Sequence, residues 1–87
     1  MSELINEKVS VVSFYNREKA QVMPWIIKWH GRLYKIRKVG LHYPVREGKK
    51  LLHYFSVLTE DNISFKLRHD TETLHWILEE TVDEFAS

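Results

Sequence analysis

The sequence predicts a mainly β protein: a single curled antiparallel sheet or small barrel of about six strands. Three observations predict it. β-branched and aromatic residues crowd into short runs. Polar clusters holding Gly, Pro, Asn or Asp separate those runs. The chain has 87 residues, one domain over 1–87, and a sheet of that many strands in so short a chain must curl to bury a face.

The strands are expected in this order. KVSVVSFY (8–15) is dense in β-branched residues, and NREKAQ (16–21) connects it to VMPWIIKW (22–29). Pro24 has no N–H to donate, which places that end of the second strand at an edge or a bulge. RLYKIRKVGLHY (32–43) is a long third strand, and PVREGKK (44–50) reads as a loop. LLHYFSVL (51–58) and ISFKLR (63–68) are the fourth and fifth strands, joined by the turn TEDN. LHWILEE (74–80) is the sixth, because Leu74, Trp76 and Leu78 alternate with a period of two. A helix competes over 71–86, where Leu74, Ile77, Leu78 and Val82 have helical spacing. Residues 1–7 and 81–87 read as flexible ends, the second with room for a short helical turn.

The stretch PWIIKWHGRLYKIRK (24–38) carries the most information. His30 and Gly31 can form a two-residue turn, since Gly takes positive φ freely and His better than most residues. That register sets Trp29 opposite Arg32, Ile27 opposite Tyr34 and Trp25 opposite Ile36. Side chains alternate, so Trp25, Ile27, Tyr34 and Ile36 share a core face. They are joined there by Phe55, Val57, Ile63, Phe65, Leu67, Leu74, Trp76 and Leu78. Ile26, Lys28, Leu33, Lys35 and Arg37 face outward. Val39, Leu41 and Tyr43 follow in the opposite phase, which predicts one β-bulge near Arg37–Lys38 with Gly40 easing a bend. Trp29 and Arg32 lie at the rim, where a guanidinium can stack on an indole.

The formal charge of +1 hides a segregation: residues 28–50 carry +7 and residues 59–87 carry −6. Such a basic segment suits an anionic partner, or the two parts face each other in the fold. The absence of cysteine removes disulfides and thiolate metal sites. The N-terminus has no basic region followed by an apolar run, and no apolar stretch approaches the ~20 residues of a membrane helix. The expectation is a cytoplasmic protein with no membrane contact.

No catalytic residues are expected, and the chain reads as a non-enzyme. Ser13, Ser56 and Ser64 lie in strand patterns without a strained glycine elbow. The glycines are isolated, so no phosphate loop is present. His30, His42, His53, His69 and His75 lack the close pairing that anchors a zinc site, although His42 and His53 flank 44–50 and can approach across strands. No metal, cofactor or small-molecule substrate is expected. The candidate binding residues are Lys28, Trp29, Arg32, Lys35, Arg37, Lys38, Lys49 and Lys50. The favoured function is an interaction module that binds a protein partner or self-associates through a sheet edge or its basic outer face. The alternative is a weak nucleic-acid-binding domain, for which Trp29, Tyr43 and Tyr54 are the available stacking platforms.

The patterns P-W-x-I-x-W-x-G-R-x-Y-x-I (24–36), H-Y-F-S-V (53–57), F-K-L (65–67) and W-I-L-E-E-T-V-D (76–83) resemble a group of small bacterial domains of unknown function. Some members of that group are associated with Y-family translesion DNA polymerases. The resemblance spans about 60 residues, mostly core and turn positions, so it implies the fold first. It adds weight to a nucleic-acid role linked to DNA repair or translesion synthesis. The segment LHYPVREGKK (41–50) departs from the group's pattern in lacking a tryptophan after the third strand. The resemblance transfers no catalytic residue.

Overall fold

A computed structural model describes residues 2–83, with side chains for 3–82. Six strands follow one another: β1 (Ser2–Asn16), β2 (Gln21–Trp29), β3 (Arg32–Glu47), β4 (Lys50–Thr59), β5 (Ile63–Asp70) and β6 (Trp76–Asp83). Each pairs antiparallel with the next, and β1 pairs with β6 to close the barrel. The turns at 17–20, 48–49 and 71–75 therefore share one end, called the upper end below. The turns at 30–31 and 60–62 share the lower end.

The strand pattern matches the expected one, with longer elements. β1 begins at Ser2: residues 2–9 pair with β6, then 10–16 pair with β2, so this strand turns the corner between two parts of the barrel. The N-terminal residues expected as a flexible end thus complete the closure. β3 and β4 extend through the expected 44–50 loop and leave Gly48 and Lys49 as a tight turn. β6 is a strand to Asp83, so the helical alternative for 71–86 fails within the described residues. The helical turn considered for the chain end falls largely on 84–87, outside them.

The HG turn forms as expected. His30 and Gly31 both have positive φ, 51° and 75°, the conformation of the hairpin turn that matches strand twist. Trp29 stands opposite Arg32 and Ile27 opposite Tyr34. Ile27, Tyr34, Phe55, Val57, Phe65, Leu67, Trp76 and Leu78 are buried together with Met23, and Ile36 and Ile63 pack partly buried against them. Each fully buried side chain of this size contributes about 1.5–3 kcal/mol relative to exposure. The barrel interior is therefore a packed core.

Two core expectations fail, each for a backbone reason. Trp25 is 52% exposed. Val12 pairs with Ile26 and Ser13 with Pro24, so Trp25 is an extra residue on β2, a bulge that takes it out of alternation. Leu74 is 68% exposed because it precedes β6 in the turn, with φ at 64°.

The bulge expected in β3 is present, and there is a second. Arg37 and Gly40 are each unmatched opposite β4. The first changes the phase and brings Val39 inward. The second reverses it, leaving Leu41 and Tyr43 exposed and turning His42 toward Phe55. Straight, the sixteen residues of β3 would span about 50 Å at ~3.3 Å each. The molecule's longest extent is 39 Å, so the strand must bend.

Candidate functional site

β2 and β3 separate soon after their turn. Their ladder has the pairs Ile26–Lys35, Ile27–Tyr34, Lys28–Leu33 and Trp29–Arg32, and among the described residues no further pair joins them. The ladder ends where Pro24 has no N–H to donate, beside the Trp25 bulge of β2 and the Arg37 bulge of β3. Beyond Lys35, β3 pairs with β4 on one side and has its other edge open.

A groove of about 500 Å³ occupies this seam. Met23, Pro24, Ile36 and Val39 supply apolar lining, Phe14 and Trp25 are aromatic walls, and Arg37 and Lys38 bring charge. Phe14 is half exposed, like Trp25. No residue of β2, and none of β3 before Glu47, is acidic. Arg37 donates to the neutral side-chain oxygen of Asn62 at 2.9 Å, which orients the guanidinium, and among the described residues it forms no ion pair. Lys35 and Lys38 form no ion pair among the described residues.

The expected site residues do not form one surface. Arg37 and Lys38 line the seam, with Lys35 on the adjoining outer face. Lys28 sits by the lower turn beside Trp29 and His30. Arg32 is held by Asp61 at 2.9 Å, and its guanidinium lies 4.9 Å from the Tyr34 ring centre rather than on Trp29. Trp29 is not an exposed platform. It packs partly buried against Phe65, its Nε1 donates to Glu7 at 3.3 Å, and His30 stacks on its ring. Lys49 and Lys50 lie at the upper turn, where Lys50 is 3.0 Å from Asp70. The Arg32–Asp61 and Lys50–Asp70 pairs show that part of the charge segregation is resolved between the two halves of the chain. Tyr43 and Tyr54 stack on the outside with ring centres 5.3 Å apart.

Sequence reading missed Trp25 and Phe14 as exposed groove walls. Pro24 was the available signal, since it marked an edge or bulge where simple alternation could fail.

A second cluster occupies the upper end of the interior. His42 and His53 meet across β3 and β4, with Nε2 and Nδ1 2.8 Å apart. His69 stands opposite His53 on β5 and stacks on Trp76 at 4.2 Å. Burial lowers the pKa of His42, reinforced by His53 and Lys19. Burial also lowers that of His69, with His53 adding to the shift and Asp70 opposing it. Among the described residues, no group of three or more His, Asp or Glu side chains is placed to hold a metal ion. A hollow of about 500 Å³ between β1 and the start of β6 brings His69 and His75 near Ser10 and Ser13, but its lining contains no carboxylate to orient a histidine base.

Fold and site together define a small antiparallel β barrel with an open, basic seam between β2 and β3. No family model matches this chain, and neither a curated protein nor a solved structure matches it. Among the described residues, no helix is long and apolar enough to cross a membrane.

Proposed function

We propose that the chain is a non-enzymatic interaction module that takes an extended segment of a partner protein along the open edge of β3. The supporting observation is the early end of the β2–β3 ladder at Ile26–Lys35, beside a groove with an apolar lining. An unpaired strand edge offers backbone donors and acceptors, and the adjoining groove gives alternate side chains of an added strand a place to go. The bulges at Arg37 and Gly40 break the edge's regularity, which discourages indiscriminate sheet-to-sheet association. Side-chain fit then selects the partner.

The test is a titration with an eight-residue peptide of alternating valine and serine, followed by amide hydrogen exchange. Protection is expected at residues 36–43 and not in β5, which has partners on both sides. N-methylation of alternate peptide amides should abolish the effect. Self-association through the same edge would appear as protection that rises with protein concentration. If neither peptides of this kind nor a second copy protects those amides, the reading fails.

The second reading is a weak nucleic-acid-binding domain linked to DNA repair or translesion synthesis. The exposure of Trp25 beside Arg37 and Lys38 favours it, because a base can stack on the indole while cations meet phosphate. Such binding would be strongly salt-dependent.

A further inference from the structure

We infer that the segment taken by the seam is acidic: an extended strand whose side chains are alternately apolar and carboxylate. This rests on the proposed use of the β3 edge and names the chemistry of its occupant.

Both walls of the seam lack acids, while β3 carries Arg32, Lys35, Arg37, Lys38 and Arg46 before its first carboxylate at Glu47. Arg32 is neutralised by Asp61. Arg37 is held by a neutral amide, and Lys35 and Lys38 form no ion pair among the described residues. The groove therefore combines an apolar lining with positive charge at its margin that no acid pairs with among the described residues. Side chains on an added strand alternate between two faces. One set meets Met23, Ile36 and Val39, and the other reaches the cations. Carboxylates at the second set neutralise the margin and accept charge-assisted hydrogen bonds from Arg37.

Other occupants fit less well. Pairing β3 with its own copy would bring the same positive segment to both sides of the interface, and like charges facing each other oppose association. A nucleic-acid strand would satisfy the cations but leave the backbone edge unused, and among the described residues the groove has two exposed aromatic walls, Trp25 and Phe14.

The experiment compares eight-residue peptides alternating valine with glutamate, serine or lysine, by fluorescence anisotropy at low salt. The glutamate peptide should bind about tenfold more tightly than the serine peptide, with the lysine peptide weakest, and salt should narrow the differences. The double variant Arg37→Glu, Lys38→Glu should invert the order, whereas Lys49→Glu at the upper turn should leave it unchanged. If the double variant does not fold, Lys38→Gln alone should reduce the glutamate preference. Equal binding of the three peptides, still abolished by amide N-methylation, overturns the acidic partner and leaves strand addition standing. Binding by none of them removes the acidic partner, and with no self-association at the same edge it removes strand addition as well. A ten-residue thymidine oligonucleotide that displaces the glutamate peptide and binds more tightly also overturns the inference.

Discussion

Nε2 of His42 and Nδ1 of His53 stand 2.8 Å apart inside the upper end of the barrel, so one proton must serve both nitrogens. The contact survives one added proton, placed on an outer ring nitrogen, but not two, because both facing nitrogens would then carry hydrogen. The pair's surroundings add Lys19, the neighbouring His69 and, opposing them, Asp70.

Stability should fall as pH is lowered below about 6.5, the ordinary value of the histidines. The folded pKa values of His42 and His69 are lowered, so the unfolded chain binds protons first, and stability is lost until pH passes the folded values. Urea midpoints between pH 7.5 and 5 will show this. His69→Phe keeps a ring against Trp76 and removes one titrating group, so it should flatten the slope. A slope of opposite sign would contradict the lowered values of His42 and His69.

A separate acid transition should follow. Asp70 is clipped by Lys50 at 3.0 Å and accepts from the backbone N–H groups of Glu72 and Thr73, and its pKa is lowered from 3.8 to about 2. This contribution is present above about 4 and lost as pH falls toward 2. Carboxyl NMR should find Asp70 titrating below the other aspartates, and Lys50→Met should raise its pKa.

Thr59→Val should destabilise although it adds an apolar group. The side chain is fully buried, and its Oγ1 accepts from the Ile63 N–H at 3.2 Å at the start of β5. Orphaning that donor costs about 1–3 kcal/mol, readable by urea unfolding. Thr59→Ser keeps the acceptor and should lose less.

Leu74→Gly should stabilise by about 0.5–1 kcal/mol. Leu74 sits at φ 64° with an exposed side chain, so relief of left-handed strain outweighs glycine's added freedom in the unfolded chain. Thermal denaturation should show a rise of a few degrees.

The three tryptophans separate these ideas optically. Trp25 is 52% exposed, Trp29 is partly buried and Trp76 is 7% exposed. Acrylamide should quench Trp25 first, and Trp25→Phe should remove most of the quenchable emission. The same substitution should change stability by less than about 1 kcal/mol, as surface changes do.

What was legible in the chain was its local grammar. Alternation located Phe55 and Val57 in β4, Phe65 and Leu67 in β5 and Trp76 and Leu78 in β6, but it missed Leu52, which is buried out of phase with Phe55, and the polar Thr59. His30 and Gly31 announced a turn, and the turn set the register of Ile27 against Tyr34. Pro24 announced an edge without saying which face Trp25 would take. His42 and His53 were close enough in sequence to be paired across a hairpin, yet whether they pointed in or out hung on the Gly40 bulge.

The sequence by itself therefore determined the number and order of strands, the tight turn and most of the core, since each depends on a few neighbouring residues. The tertiary structure alone decided that Trp25 faces outward, that His42 turns in to meet His53, and that β2 and β3 part to leave a basic seam. Those outcomes depend on bulges, and a bulge falls where two partner strands must bend by different amounts to close a barrel. The phase slip after Ile36 announced one of these bulges, but the bulges at Trp25 and Gly40, and the faces they turn outward, depend on how the strands meet around the closed ring.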